Sequence, residues 1–482
     1  MLNFKHSYKS LGKDFYQTVN PAKAPNPTLI LWNSDLANQL DLTALTDNPE
    51  IAAKYFSGNE IPDTAQPIAL AYAGHQFGYF NPQLGDGRAQ LLGELANKQG
   101  AVLDVQLKGS GTTMFSRNGD GRCGLKPAMR EFIMSEALHA LGVPTSRCLA
   151  VTTTGETIYR DQSQPGAVVT RVASSHIRVG TFQYFAERGD RQSLGKLIDF
   201  TIDRHYPFID KNDPNKGAVL LDAIIERQIH LVCEWMRIGF IHGVMNTDNM
   251  AISGETLDFG PCAMMGNYSF NRVFSSIDSH GRYAFGNQPN IVQWNMARLA
   301  EAIVSTEPDK AAIEPYQLLI NNIPKRFKKQ YLTMYQRKLG LTEKANNNHE
   351  KLITDLLTIM EKYQLDYTQT FLQLERYLES NQIPEIPNEL SEWITNWQTE
   401  AGQSNEQTAI AIQIMKQTNP VVIPRNHHME SVLNECISNL KNDRALQFLK
   451  VLQTPYTQTA AAEPFQTLPA DGDKNYQTFC GT

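Results

Sequence analysis

The stretch HGVMNTDNMAISGETLDFG, residues 242–260, decides how the rest of this sequence is interpreted. Asn249 and Asp258 stand nine positions apart, which leaves room for two short strands, Met250–Ile252 and Thr256–Leu257, joined by a turn at 253–255. Such a pair would bring the Asn249 amide and the Asp258 carboxylate toward one point. Hard cations prefer oxygen ligands, and Mg²⁺ or Mn²⁺ takes a few from protein and the rest from phosphate and water. The stretch therefore predicts a site for Mg²⁺ or Mn²⁺ at Asn249 and Asp258.

The same stretch has the spacing of a protein-kinase catalytic loop but lacks one of its residues. In the pattern H-R-D-x-x-x-x-N the asparagine falls seven positions after the histidine, and a metal-binding D-F-G triplet follows. Asn249 falls seven positions after His242, and Asp258 opens the triplet, but Val244 stands where the pattern has aspartate. Because valine cannot accept a proton, the sequence keeps groups for metal and phosphate but not the usual proton acceptor.

Two upstream segments carry groups suited to phosphate. Gly85-Asp86-Gly87-Arg88 directly precedes a predicted strand. Its glycines would let backbone approach phosphate oxygens and its arginine offers a fork of donors, although Asp-Gly is also an ordinary hairpin turn. Lys108 closes the apolar strand Val102–Leu107, where it either reaches a phosphate or lies at a solvated strand end. An inward lysine needs a carboxylate, for which Glu131 is the first candidate and Glu136 the second.

The order of these segments predicts an α+β protein with a protein-kinase-like two-lobed fold. We expect a small α/β N-lobe, a large and mainly helical C-lobe, N- and C-terminal extensions, and an active cleft between the lobes. The predicted strands are Ala89–Leu95, Val102–Leu107, Val151–Thr154 and Ala167–Val172, with a helix over 127–141. Helical spacing is found at Leu220–Ile238, Ala311–Leu339, Glu350–Leu378 and Ser431–Leu452.

The chain is expected to divide into four regions. Residues 1–60, with several prolines, would form an N-terminal extension, and residues 61–190 the N-lobe. Residues 191–310 would form the catalytic core of the C-lobe, and residues 311–482 a helical region that ends in a cysteine-containing tail. Glycines are concentrated in 74–124 and again in 239–266, and glycine-dense loops are where backbone often approaches a ligand.

Composition excludes several other classes of protein. With 482 residues, 41% hydrophobic and 20% charged residues, and a net charge of -6, a dominant nucleic-acid-binding face is not expected. The six cysteines are scattered without a C-x-x-C pair, which argues against a zinc site or a disulfide framework. The sequence has neither the apolar core of a secretory signal nor a membrane-length apolar run. We therefore expect a cytoplasmic protein without a membrane partner, and a monomer, although the oligomeric state stays open.

Three longer segments resemble the selenoprotein O family, called YdiU in bacteria. They are YAGHQFGYFNPQLGDGRAQLLGE (72–94), DVQLKGSGTTMFSRNGDGRCGLKPAMREF (104–132) and FIHGVMNTDNMAISGETLDFGP (240–261), and the likeness runs from about Asn3 to the C-terminus. The resemblance implies a kinase-like fold that binds ATP in a flipped orientation. It also implies transfer of AMP, or in some bacterial members UMP, to hydroxyl side chains of other proteins, with release of pyrophosphate.

The resemblance further implies a role for each matching residue. Asp248 would act as the general base in place of the aspartate missing at Val244, Glu131 would steady Lys108, and Asn249 and Asp258 would bind the metal. Residues that would contact the nucleotide are Gly85, Gly87, Arg88, Lys108, Asp120, Gly121, Arg171 and Arg178.

Three functions remain under consideration. The leading hypothesis is a metal-dependent protein adenylyl- or uridylyltransferase that uses ATP or UTP; the alternatives are an ordinary phosphotransferase and a pseudokinase scaffold. Val244 disfavours the phosphotransferase, while the retained Lys108, Asn249 and Asp258 disfavour the scaffold. The nucleotide, the metal, the acceptor proteins and any redox role of Cys480 in the tail stay open.

Overall fold

The computed structural model describes residues 2–160, 162–307, 313–342, 347–380, 387–402 and 404–479, and these form a mixed α and β structure with antiparallel sheets. Cys480, whose redox role the sequence left open, lies outside the described residues. The strands are β1 Tyr16–Thr18, β2 Thr28–Trp32, β3 Ile68–Leu70, β4 Gly74–Gln76, β5 Tyr79–Asn81, β6 Ala89–Ala96, β7 Val102–Lys108, β8 Cys123–Gly124, β9 Arg147–Tyr159, β10 Ser163–Ala173, β11 Phe240–Ile241 and β12 Ala263–Met264.

Helices dominate the second half of the chain. They are α1 Ser34–Gln39, α2 Thr43–Thr46, α3 Pro49–Ser57, α4 Leu125–Ala140, α5 Val179–Glu187, α6 Arg191–His205, α7 Lys216–Ile238, α8 Gln288–Val304, α9 Ile313–Lys338, α10 Asn347–Lys362, α11 Tyr367–Ser380, α12 Asn388–Ala401, α13 Asn405–Thr418, α14 Asn426–Asn439 and α15 Asp443–Leu452. Helix α7 packs against both α8 and α9 and forms the centre of this helical part. Among the helices in the described ranges, none combines the length and the apolarity needed to cross a membrane.

The main sheet has the strand order β1-β3-β6-β7-β10-β9-β2, and β8 also pairs with β10. Each of these strand pairs is antiparallel. The first 60 residues, expected as an extension, supply β1 and β2, which stand at the two ends of this order.

Side chains of β10 alternate between the two faces of the sheet, as a strand requires. Val168 and Val172 join the apolar cluster that contains Leu36 of α1 and Phe56 of α3. Ala167 and Val169 lie in the other cluster, which contains the apolar face of α4. The alternation places Arg171 on the α4 face, two positions after Val169, although the neighbouring side chains are apolar.

Two predicted helices are interrupted. The predicted helix Glu350–Leu378 was wrong as a single element, because it is divided into α10 and α11. Gln364 has a left-handed φ of 53°, and the Asp366 carboxylate caps the next helix by accepting the Gln369 N–H at 2.8 Å. Ser431–Leu452 is likewise divided into α14 and α15, at Leu440 with a φ of 55°. Both breaks are tight turns without proline or glycine, so the sequence gives little warning of them.

The predicted strand pair around the turn at 253–255 is reduced to one bridge, between Met250 and Thr256. Its backbone groups bond to other segments instead. Val179 N donates to Met250 O at 3.0 Å, and Ile252 N donates to Ile177 O at 3.0 Å. The segment 250–252 therefore lies against residues 177–179. This contact brings Arg178 beside the stretch 242–260, which carries Asn249 and Asp258.

Candidate active site

A cleft of about 510 Å³ opens between the sheet and the helical part of the chain. Every residue that the sequence assigned to the site lines this cleft: Gly85, Gly87, Arg88, Lys108, Asp120, Gly121, Glu131, Arg171, Arg178, Asp248, Asn249 and Asp258. Other lining residues were not assigned from the sequence, and Tyr72, Gln76, Asp86 and Asn246 are among them. The segments that supply these side chains are far apart in sequence, so the cleft is formed by tertiary packing.

Two cations and two carboxylates form the inner cluster of the cleft. Lys108 Nζ lies 2.8 Å from Glu131 Oε2 and 3.1 Å from Asp258 Oδ1. Arg171 donates to Glu131, with Nη2 at 3.1 Å from Oε2, and also to Asp258 Oδ1. Strand β7 ends at Lys108, β10 carries Arg171 and α4 carries Glu131 on the face that both strands share with the helix. The alternative partner Glu136 pairs with Arg147 instead, Nε to Oε1 at 2.7 Å.

Electrostatics keep both carboxylates of this cluster ionised. Burial acts to raise the pKa of the Asp258 carboxyl, but Arg171, Lys108 and Arg178 outweigh it and hold the pKa well below its usual range. The same balance, dominated by Arg171 and Lys108, lowers the pKa of Glu131. Asp258 also has a left-handed backbone with a φ of 66°, a strained conformation for a residue other than glycine. An ionised, conformationally fixed carboxylate is suited to bind a cation.

Arg178 and Asp86 form a second buried pair deeper in the cleft. Arg178 Nη2 lies 3.7 Å from Asp86 Oδ1 and 3.9 Å from Asp258 Oδ2, and its guanidinium lies over the Tyr72 ring at 4.4 Å. Asp86 Oδ2 accepts from Gln106 Nε2 at 3.1 Å. Sequence reasoning named Arg178 but gave no role to Asp86, although it stands within the quoted glycine motif. Its partner, Arg178, stands 92 positions later in the sequence, so the motif alone does not reveal the pair.

Asp248 lies in a short 3-10 helix, Thr247–Asn249, and its carboxylate is buried. Gln76 Nε2 donates to Oδ2 at 3.2 Å, whereas Oδ1 is buried without a hydrogen-bond partner. Burial raises the pKa of Asp248 to about 6, and Arg178 and Gln76 partly oppose that rise. A carboxylate with a pKa near 6 and one unpaired oxygen is able to accept a proton near neutral pH.

The loop before D-F-G is held by buried hydrogen bonds. His242 is buried, and its Nε2 lies 2.9 Å from Leu257 O, the carbonyl just before Asp258. Asn249 donates Nδ2 to Val244 O at 3.1 Å, which turns its amide oxygen away from that carbonyl. The histidine therefore supports the backbone, and Val244 contributes its carbonyl rather than its side chain.

The oxygen atoms present fit a hard divalent cation. Oδ1 of Asp258 is taken by Lys108 and Arg171, while Arg178 Nη2 lies 3.9 Å from Oδ2. The Asn249 amide oxygen would supply a second, neutral ligand of the kind that Mg²⁺ and Mn²⁺ accept. No cluster of three or more His, Cys, Asp or Glu side chains suited to a metal occurs in the described part of the chain. A cation at Asn249 and Asp258 would therefore complete its coordination with phosphate and water.

The second glycine-rich loop closes the outer side of the cleft. Gly121 has a φ of 68°, and a Cβ there would lie 2.1 Å from the Gly111 carbonyl carbon, so no side chain fits. Asp120 forms a two-pronged pair with Arg160, Nη1 to Oδ2 at 2.9 Å and Nη2 to Oδ1 at 2.7 Å. Gly85 is packed under the Phe115 ring, where a Cβ would lie 2.2 Å from a ring carbon. Because Gly85 and Gly121 have no side chain, the backbone of both loops is able to approach a ligand closely.

Comparison with known proteins agrees with this geometry. The family described as "Protein adenylyltransferase SelO" matches residues 1–455 of the chain. Proteins named "Protein nucleotidyltransferase YdiU" are similar over their full length. The one from Teredinibacter turnerae is 49% identical, with 100% of both chains covered. Those from Pseudoalteromonas translucida and Geobacillus kaustophilus are both 47% identical, with 100% and 99% of each chain covered.

These matches first define the class of protein, which is an enzyme of the nucleotidyltransferase type. The chain belongs to the SelO family, as the resemblance of its motifs indicated. Neither a phosphotransferase nor a scaffold without activity is supported by these names.

Proposed function

We propose that this enzyme transfers the nucleoside monophosphate of ATP or UTP to Ser, Thr or Tyr hydroxyls of other proteins, with Mg²⁺ or Mn²⁺, and releases pyrophosphate. The observation that carries the proposal is the contrast between two carboxylates that line one cleft. Asp258 is held ionised by cations, whereas burial raises the pKa of Asp248 to about 6 and one of its oxygens has no partner. One carboxylate suits a metal, and the other suits a proton.

The buried arginines indicate where the terminal phosphates would lie. Arg171 and Arg178 are only 2% and 3% exposed, and together with Lys108 they place three cations in the inner cleft. A triphosphate that enters with its γ-phosphate inward would meet these cations. Its α-phosphorus would then face outward, where an acceptor hydroxyl can approach, and pyrophosphate would be the leaving group. This is the flipped orientation that the family resemblance implies.

Asp248 would act as the general base. Its unpaired Oδ1 would take the proton of the acceptor hydroxyl as that oxygen attacks the α-phosphorus. Gly85, Gly87 and Arg88 would contact the phosphates, and Asp120 and Gly121 would hold the outer part of the nucleotide. Glu131 would keep Lys108 in place.

Asn249 and Asp258 would hold the divalent cation through their side-chain oxygens. When bound, the cation would neutralise phosphate charge and favour departure of pyrophosphate. The ammonium of Lys108 contacts Asp258 Oδ1 at 3.1 Å, so it lies beside the phosphates that the same carboxylate would help to position.

The remaining features of the proposal concern the whole chain. We assign residues 61–190 and 191–310 to the two lobes of a protein-kinase-like fold, with 1–60 and 311–482 as extensions. Hydroxyl-bearing proteins are the expected acceptors, since the relatives are named protein nucleotidyltransferases. The five cysteines of the described residues are all buried and free, which supports a reducing, cytoplasmic location. We assign the enzyme as a monomer as part of the same proposal.

The test uses ATP and UTP labelled at either the α- or the γ-phosphate, with a heat-treated bacterial lysate as the pool of acceptor proteins. We expect α-label in protein in the presence of Mg²⁺ or Mn²⁺, no γ-label, and release of labelled pyrophosphate from the γ-labelled donor. Asp258→Asn should abolish transfer, whereas Asp203→Asn, at an exposed carboxylate paired with Lys211, serves as the matched control. Incorporation of γ-label, or full activity of Asp258→Asn, would contradict the proposal.

A further inference from the structure

A hairpin on the sheet side of the cleft is attached to the loop that carries Asp248. It comprises β4 and β5 with the connection Phe77-Gly78, and three successive residues contact three successive residues of the loop. His75 N donates to Thr247 Oγ1 at 2.7 Å, Gln76 Nε2 donates to Asp248 Oδ2 at 3.2 Å, and Phe77 N donates to Asn246 Oδ1 at 3.0 Å. The hairpin is thus held in a defined position relative to Asp248.

Asp248 receives little other support. Within the described ranges, the one side-chain hydrogen bond that its carboxylate accepts comes from Gln76. Gly74 lies so close that an added Cβ would be 2.8 Å from Asp248 Oδ1, and a Cβ at Gly180 would lie 3.5 Å from Asp248 Cα. Gly74 therefore lies against the carboxylate and Gly180 against the backbone of Asp248, while the Gln76 amide is the side-chain donor that orients the carboxylate.

We propose that Gln76 is the positioning residue of the general base: its amide holds Oδ2 of Asp248 and leaves Oδ1 free for the acceptor hydroxyl. This inference rests on the proposed function of Asp248, and it extends that function to a residue for which the sequence suggested no role.

The orientation of Gln76 is itself fixed from both sides. His75 Nδ1 lies 2.8 Å from Gln183 Nε2 on α5. On the other side, Asn246 Oδ1 accepts from Tyr283 OH at 2.6 Å as well as from Phe77 N. The hairpin therefore connects α5, the base-bearing loop and the segment that follows D-F-G. This attachment fixes the part of the backbone from which the Gln76 amide reaches Oδ2 of Asp248.

The effect of removing the amide follows from this geometry. Without Gln76 the Asp248 carboxylate loses the side-chain donor that orients it, while the residues that would hold the nucleotide keep their own contacts. Transfer would therefore be lowered without an equal loss of nucleotide binding.

The test measures kcat and KM for ATP at pH 8, with α-label incorporated into the same acceptor pool. For Gln76→Leu we expect kcat to fall about tenfold or more and KM for ATP to change little. In the Asp248→Asn background the same substitution should lower the residual kcat little, because the carboxylate that Gln76 orients is already absent. Gln83→Leu, the same change at an exposed glutamine outside the cleft lining, is the matched control, and thermal melts establish that each variant is folded.

The outcomes separate this inference from the proposed function. If Asp248→Asn retains full transfer, the assignment of the base is wrong and the role of Gln76 is wrong with it. If Asp248→Asn is impaired but a folded Gln76→Leu keeps the wild-type kcat, the positioning role alone is overturned. An equal fold-loss of kcat for Gln76→Leu in the wild-type and Asp248→Asn backgrounds overturns it as well.

Discussion

The ammonium of Lys108 lies 3.1 Å from Oδ1 of Asp258, a residue 150 positions later in the chain. This contact joins the end of a strand in the main sheet to the D-F-G triplet of the helical part. It also means that an incoming phosphate meets a cation that already has a carboxylate on either side, Glu131 and Asp258. Binding of a triphosphate is therefore expected to redistribute these contacts rather than to fill an unpaired positive pocket.

Lys108→Met should weaken nucleotide binding more than folding. The variant keeps the side-chain length and removes the charge, while Arg171 still pairs with Glu131 and Asp258. We expect affinity for a non-hydrolysable ATP analogue to fall about tenfold or more, in line with the loss of one charge-assisted contact. Titration calorimetry measures it, with Lys54→Met at an exposed lysine as the control. Unchanged affinity would show that Lys108 serves only the fold.

Arg171→Met should destabilise the protein by about 3–5 kcal/mol at neutral pH, because it leaves Glu131 and Asp258 with less compensation in a buried site. The pKa values of both carboxyls are held below the usual range, so the stability they contribute is present above about pH 4 and is lost as pH falls. The difference between wild type and variant should therefore be largest at neutral pH and shrink as pH falls below about 4.

Urea unfolding at several pH values measures this difference. Arg298→Met, at an arginine paired with the exposed Glu301, should cost under about 0.5 kcal/mol. A difference for Arg171→Met that does not depend on pH would mean that lost packing, rather than charge, causes the effect.

Asp248→Asn should lower transfer by about 10²- to 10⁴-fold while it stabilises the fold. Burial raises the pKa of Asp248 to about 6, so ionisation of this group opposes folding as pH rises from about 4 to 6. The variant lacks that cost and should be more stable well above pH 6 by about 3 kcal/mol, with no difference below pH 4. Thermal melts of the variant and the wild type across this range test the prediction. A stability difference between the two proteins that is the same at pH 4 and at pH 8 would contradict the raised pKa.

Wild-type activity should also depend on the ionisation of Asp248. Because the base must be deprotonated, transfer is expected to rise as pH increases through about 6 and then to level off. A rate profile with α-labelled nucleotide measures the midpoint. A flat profile from pH 5 to 8 would exclude a carboxylate of this pKa as the base.

Gly121→Ala should reduce nucleotide affinity, because a Cβ there would lie 2.1 Å from the Gly111 backbone and would displace the loop. Gly189→Ala is a matched control: its φ of 64° is close to the 68° of Gly121, but nothing lies within 4 Å of its Cβ position. We expect the control to cost about 1 kcal/mol in stability and to leave nucleotide binding unchanged. Equal effects of both variants on binding would show that backbone strain alone is responsible.

Much of the fold near the site followed from local patterns. Strands β6 and β7 and helix α4 were predicted within two residues of their ends, since apolar runs and a first-turn proline determine them locally. The breaks at Gln364 and Leu440 were missed, because left-handed turns at such residues are stabilised by tertiary contacts rather than by propensity. The pairing of 250–252 with 177–179, in place of the expected strand pair, has the same origin.

The sequence alone determined which family this chain belongs to and many of the residues that line the cleft, because residue type and spacing in the motifs are properties of the chain itself. Tertiary structure alone decided how those side chains are paired: Arg178 with Asp86, and Gln76 with Asp248 across 172 positions. It also set the opposite pKa shifts of Asp248 and Asp258. The physical reason is that burial and the distance to the nearest cation control the energy of a charge, and both arise only when distant segments pack together.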